Sequence, residues 1–313
     1  MTVAMDASDK ILVTGAAGLV GSSVMELLAA EGFENVVGVG RQDCDLMERD
    51  SVFALFDAHR PKHVFHAAAR VYGIMGNMKN QGLSFYDNVT INTNVIEACR
   101  LSGVTKVTVM GTGAVYPFPS PGLPLTEDMI FSGRPHGSEK SYAHAKRAAL
   151  AMLEAYQESY DLDWAYIVSC NLFGPRDKFD TNFGHVVPSL VKKFYDAAQD
   201  GSDVSVWGDG SAQRDFMYVK DMARAVLAVM RGGNGPVNVG SGSVLRIRDI
   251  VEELGRISGL SDRIVWDASK PNGQDYRAYD LQNLTGLGFA PKYSIAEGLQ
   301  ETWDWYARSV QNG

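Results

Sequence analysis

Three short stretches hold the residues whose types and spacing suit catalysis. "MGTGAVYP" (110–117) ends an apolar run beginning at Lys106 and carries one hydroxyl, Thr112, in a glycine-containing elbow. "SYAHAKRAA" (141–149) sets Tyr142 and Lys146 four residues apart, on one face if the segment is helical. "TGAAGLVG" (14–21) places Gly15, Gly18 and Gly21 directly after an apolar run. A phenol titrates near pH 10 and is a poor acid–base catalyst unaided. An ammonium at about 4 Å, in an effective dielectric near 20, favours the phenolate by on the order of 4 kcal/mol before desolvation is subtracted. That predicts a Tyr142 phenol lowered toward a working pH by Lys146, with Thr112 holding the carbonyl oxygen that receives the proton.

The glycine stretch reads GxxGxxG rather than GxGxxG. A dinucleotide pyrophosphate needs backbone N–H groups at a helix N-terminus and no side chains in its way. An NAD site should end its second strand in Asp or Glu to bind the ribose hydroxyls. Here "NVVGVG" (35–40) is followed by Arg41, whose guanidinium suits a 2′-phosphate. The reading is NADPH/NADP, against the plainer alternative of a solvated arginine.

Alternating elements must position these groups. Strands are predicted at 10–15, 35–40, 63–69, 106–111 and 163–169, and helices at 19–31, 51–59, 88–102 and 140–160. Near-continuous apolar strands between helices predict an α/β, Rossmann-type doubly wound parallel sheet, with ligands outside the strands' carboxyl ends. After Asn171 the texture changes. A polar loop (174–185), helices at 186–199, 220–231 and 247–258, strands at 203–208 and 236–242, and a last helix at 294–306 are expected. This predicts an NADP-binding domain over 1–172, with segments near 215–240 returning to it. Residues 173–313 form mainly a smaller α/β substrate-binding lobe.

The bulk numbers narrow the class. A chain of 313 residues with net charge −8 lacks the basic field of a general nucleic-acid or anionic-membrane binder. Cys44, Cys99 and Cys170 are odd in number and far apart, so no disulfide framework or CxxC site is expected. The six histidines lack metal-ligand spacing, so no metal is assigned. Residues 1–10 show no signal-peptide pattern, and no apolar run approaches the roughly 20 residues that span a bilayer. A cytoplasmic, reduced protein is expected, so the sequons at Asn88 and Asn283 carry little weight.

GxxGxxG, a hydroxyl residue four before the Tyr of "VYP", and YxxxK together resemble the extended short-chain dehydrogenase/reductases. Within them, most of the chain is similar to the GDP-L-fucose synthase (GDP-4-keto-6-deoxy-mannose epimerase-reductase) family. The similar segments are "AAARVYGIMGN" (67–77), "CNLFGPRDKFD" (170–180), "HVVPSLVKKF" (185–194), "VWGDGSAQRDFMYVKDMA" (206–223) and "DASKPNG" (267–273). The resemblance implies NADPH, a nucleotide-diphosphate 4-keto sugar with GDP favoured, and a homodimer. By position it makes Thr112, Tyr142 and Lys146 the catalytic hydroxyl, acid and lysine, and His185 the general acid of epimerisation. The implied cofactor set is Gly15, Gly18, Leu19, Val20, Gly21, Arg41, Asp45, Leu46, Ala67, Ala68, Ala69, Tyr142, Lys146, Asn171, Leu172 and His185. The implied substrate set is Thr112, Asn171, Lys193, Trp207, Arg214 and Arg277. A diphosphate in a cleft needs such cations. Trp207 as a plain core residue is the alternative.

One departure bears on function. The family's epimerase base is a cysteine two residues after the catalytic hydroxyl, and here that place is Ala114. A methyl group cannot abstract a proton. Cys170, beside Asn171, offers a thiol nearby but reads better as a small buried residue. The expected activity is NADPH-dependent reduction of the 4-keto group of a 6-deoxy sugar or heptose nucleotide, without epimerisation. The alternatives are a bifunctional 3,5-epimerase/4-reductase, an NAD-retaining 4-epimerase, and a non-catalytic NADP(H) sensor. Arg41 and the second-lobe segments argue against the 4-epimerase, and the joint presence of Thr112, Tyr142 and Lys146 against the sensor.

Overall fold

The computed structural model describes residues 5–71, 73–181, 184–270 and 276–311. Tyr72, Asn182, Phe183 and 271–273 of the segments quoted above lie outside the described residues. The first half runs β1 (Ile11–Thr14), α1 (Leu19–Ala30), β2 (Val36–Val39), α2 (Arg49–His59), β3 (His63–His66), α3 (Gly73–Lys79), α4 (Gln81–Leu101), β4 (Lys106–Met110), α5 (Lys140–Tyr160) and β5 (Asp163–Ser169). There follow β6 (Asn171–Phe173), α6 (Val186–Asp200), β7 (Val204–Trp207), β8 (Gln213–Tyr218), α7 (Val219–Gly232) and β9 (Gly235–Val239). The chain ends with β10 (Val244–Arg246), α8 (Ile247–Ser258), β11 (Ile264–Asp267), α9 (Gln282–Gly286) and α10 (Ile295–Gln311).

Six parallel strands form one sheet in the order β2-β1-β3-β4-β5-β9. Every residue of β1, β3 and β4 is buried, which accounts for their apolar centres and forces partners on His66 and Lys106. Because the chain steps from β1 out to β2 and returns to β3, right-handed crossovers put α1 and α2 on opposite faces. Packing agrees: α1 lies on α7, while α2, α4 and α5 pack in succession. The order reverses between β1 and β3, and the crevice beyond their carboxyl ends is where such sheets bind ligands.

The second lobe is built around a three-stranded sheet, β10-β8-β6, and the parallel pair β11-β7. Its core is aromatic: Phe173, Phe194, Phe216 and Tyr218 are buried with Val191, Ile250 and Leu254. The segment after β8 returns to the large sheet, with α7 packed on α1 and β9 completing the edge beside β5. We propose a lobe boundary near residue 172, within β6.

The helix expected from residue 88 begins at Gln81. Its first turns are held by polar contacts that leave no apolar stripe: Ser84 Oγ donates to Asn77 Oδ1, and Asp87 pairs with Arg70.

Candidate active site

The elbow after β4 is shaped by its glycines and fastened to α5. The Gly111 N–H donates to the Ile167 carbonyl at 2.7 Å, and a Cβ there would lie 2.4 Å from the Tyr166 ring. Thr112 is extended (φ −159°, ψ 148°), and its Oγ1 accepts the Ala114 N–H at 3.2 Å. That leaves the hydroxyl hydrogen free to donate elsewhere. From α5, Lys146 Nζ donates to the Met110 carbonyl at 2.7 Å and Arg147 Nε to the Val115 carbonyl at 2.8 Å. The Tyr166 hydroxyl donates to the Lys146 carbonyl at 3.1 Å. These bonds bring the face of α5 bearing Tyr142 and Lys146 to the elbow bearing Thr112.

The electrostatics correct one expectation. Lys146 is fully buried, and burial alone pulls its ammonium down to about 8. Tyr142 is not lowered: burial pushes its phenol up, and the carboxylate of Glu139 adds to this. The ammonium lies 5.9 Å from the Tyr142 ring centroid and is engaged by the Met110 carbonyl, so desolvation dominates the phenol. A phenol held protonated is a proton donor, the form that carbonyl reduction requires.

At the switch point, Gly15 has φ +71°, and a Cβ there would lie 2.9 Å from the Ala68 nitrogen. A Cβ on Gly21 would lie 2.1 Å from the Gly15 carbonyl oxygen, so the turn closes only with glycine. Gly18 caps α1 with no side-chain hydrogen bond, so the helix start presenting Leu19, Val20 and Gly21 is bare. Thr14 Oγ1 lies 2.7 Å from His66 Nδ1, and His66 Nε2 lies 3.0 Å from Asn92 Oδ1. Burial, with Lys146 adding to it, lowers the His66 imidazole to about 3 and keeps it neutral. With Asn92 accepting from Nε2–H, Nδ1 accepts the Thr14 hydroxyl, which tethers β1 to β3. Ala67 and Ala68 follow, their N–H groups donating to Thr14 O (3.2 Å) and Oγ1 (3.3 Å), and Ala69 is half-buried beside them. Arg41 is exposed just beyond β2, in a loop where Asp43 accepts the Gly40 N–H at 2.8 Å. Asp45 is exposed and Leu46 buried. A bare helix start, a glycine cradle and a free-standing guanidinium fit a phosphorylated dinucleotide.

Across the crevice, Asn171 and Leu172 open β6 against Phe216 and Met217 of β8. Arg214 lies on β8, and the Gln213–Tyr276 bridge sets Arg277 beside it. Lys193 Nζ donates to the Ser205 carbonyl at 2.9 Å and lies 5.7 Å from the Trp207 ring. Trp207 is 58% exposed, so it is no core residue. The contacts described bring the segments of Arg214 and Arg277 together through Gln213 and Tyr276, and Lys193 to Trp207. His185 caps α6 with its imidazole 59% exposed, 3.8 Å from Asp177 Oδ1. That carboxylate raises the imidazole.

Sequence reasoning did not single out three charged residues. Glu139 acts on both Tyr142 and His185, Asp177 faces His185, and Lys270 Nζ stands 5.9 Å from the Trp207 ring. Lys270 lay inside the quoted "DASKPNG", which was the available signal. Cys170 is buried, and burial with Asp215 beside it pushes its thiol well up, so it is no base.

The model of the NAD dependent epimerase/dehydratase family matches residues 11–240. The probable GDP-L-fucose synthase 1 of Oryza sativa subsp. japonica is 37% identical over 97% of this chain and 94% of that protein. A GDP-L-fucose synthetase structure from Naegleria fowleri bound to NADP superposes with a TM-score of 0.93, at 29% identity, over 100% of this chain and 96% of that one. A GDP-6-OMe-4-keto-L-xylo-heptose reductase structure from C. jejuni gives 0.90, at 26% identity, over 98% and 100%. The chain belongs to the NAD dependent epimerase/dehydratase family, as an enzyme of the extended short-chain dehydrogenase/reductase kind whose relatives include the GDP-L-fucose synthases.

Proposed function

We propose that this enzyme reduces the 4-keto group of a GDP-linked 6-deoxy sugar or heptose with NADPH and does not epimerise its substrate. The carrying observation is Ala114, buried two residues beyond Thr112 where the family pattern has the epimerase thiol. Cys170, the other thiol weighed for that role, is held protonated by burial. Thr112 at the elbow, with Tyr142 and Lys146 on α5, which the Lys146–Met110 hydrogen bond fastens to it, supplies the groups a reduction needs. The likeness to the C. jejuni GDP-6-OMe-4-keto-L-xylo-heptose reductase supports the same reading, as do Arg41 and the NADP-bound Naegleria structure for the cofactor.

NADPH supplies a hydride when bound, and Arg41 and the bare start of α1 are the groups to hold its phosphates. Thr112 Oγ1, its lone pair already used by the Ala114 N–H, donates its hydrogen to the sugar's carbonyl oxygen. Tyr142, kept protonated, delivers the proton to that oxygen. Lys146, its charge facing the elbow from beneath, stabilises the phenolate left behind. Trp207 with Lys193, and Arg214 with Arg277, serve the nucleotide diphosphate, and Asn171 the sugar side. Under this reading His185 orients a sugar hydroxyl.

A bifunctional synthase is the second reading, favoured by the 37% identity to the rice protein and by the retained His185. Incubation with NADPH and a panel of GDP- and CDP-linked 4-keto sugars, with products identified by NMR, tests the proposal. A product inverted at carbon 3 or 5 would select the second reading. We take the enzyme to act in the cytoplasm as a homodimer. Among the described residues no helix is long and apolar enough to cross a membrane.

A further inference from the structure

His185 and Asp177 form a unit that the sequence did not reveal. The Asp177 side chain is 5% exposed, an expensive place for a carboxylate without partners. Oδ1 accepts the Lys178 N–H at 2.7 Å. Oδ2 is buried with no hydrogen-bond partner among the described residues. The backbone beneath is fixed, since the Asp177 N–H donates to the Gly174 carbonyl at 3.3 Å. The imidazole approaches this carboxylate through Nδ1, at 3.8 Å, from the N-cap of α6. The His185 side chain as a whole is more exposed than buried. A buried carboxylate against one edge of an imidazole is the arrangement by which an acid fixes the ring's tautomer and aim.

We propose that Asp177 is a positioning residue for His185, holding its Nδ1 edge so that Nε2 is the nitrogen offered to the sugar. The role of His185 toward a sugar rests on the function proposed above; the Asp177–His185 coupling does not. Three charged groups face the ring. Asp177 raises its pKa most and Glu139 adds to it, while Lys178 opposes them. The sign follows: the imidazolium–carboxylate attraction is complete below the free histidine value of about 6.5 and is lost as pH rises through the higher folded value. Below that raised value Nε2–H is a charged donor, stronger than a neutral one.

The test is ¹⁵N NMR of the imidazole in the full-length chain without substrate, the resonance being identified by its loss in His185→Gln. The wild type should titrate above about 6.5, and its neutral form should carry the proton on Nδ1, against the carboxylate. Asp177→Asn should bring the titration down to or below that value, and Asp177→Glu should restore part of the shift. With a turned-over keto sugar, Asp177→Asn should raise KM by about tenfold with a smaller change in kcat. The double variant with His185→Gln should be no worse than His185→Gln alone. An Nε2–H tautomer in the wild type overturns the proposal without any variant. So does a titration unmoved by Asp177→Asn, or losses that multiply in the double variant. If no sugar is turned over, the function proposal fails while the NMR result still decides the coupling.

Discussion

At the scale of single residues, the chemistry rests on a phenol that stays protonated and an ammonium that does not stay charged at every pH. Tyr142→Phe removes the donor and keeps the ring, so NADPH binding should survive in a fluorescence titration while turnover falls roughly 100-fold. Near-normal turnover would assign the proton to another acid. Lys146, pulled down to about 8 by burial, loses its charge as pH rises through that value. The profile of kcat/KM should therefore fall above about pH 8 and flatten in Lys146→Met at a much lower level. Arg41 is exposed and needs no structural partner. Arg41→Ala should thus leave the fold intact and erode the preference for NADPH over NADH by about 1–3 kcal/mol. Equal wild-type affinity for the two cofactors would contradict that assignment. Residue types and spacing singled out Thr112, Tyr142, Lys146 and the glycines as candidates. The direction of the phenol's shift was not legible, because it depends first on burial, which spacing does not give.

At the scale of elements, the frame that positions the site follows from simple patterning. α5 runs over Lys140–Tyr160 and β5 over Asp163–Ser169, the ranges read from apolar periodicity alone. Buried strands and long amphipathic helices advertise themselves. The small sheet did not: β6 and β10 have three residues each, and β8 begins with Gln213, Arg214 and Asp215, which read as loop. Their pairing is set by tertiary contact rather than local pattern. The turn into α1 gives the clearest test of an element. In Gly21→Ala the new methyl meets the Gly15 carbonyl at 2.1 Å, and backbone must move. Thermal unfolding should show a loss of about 1–3 kcal/mol, and NADPH binding should weaken far more than the stability change requires. An alanine variant that melts and binds like the wild type would show that the turn is not closed as described.

At the scale of the whole molecule, the proposed site draws on both parts of the chain. Thr112, Tyr142 and Lys146 come from the large sheet, while His185, Lys193, Trp207, Arg214 and Arg277 come from the elements beyond Asn171. Reduction and epimerisation would share this crevice and differ in one requirement: only epimerisation must remove a proton from carbon. With Ala114 at the elbow and Cys170 buried, no thiol is available for that step. The direct measurement is the reaction run with NADPH and a GDP-4-keto-6-deoxy sugar in deuterated water, with each product carbon read by NMR. Reduction alone predicts hydride from the cofactor at carbon 4 and no deuterium at carbons 3 and 5. Enzyme-dependent deuterium at either of those carbons would contradict the account and return the protein to the epimerase-reductases.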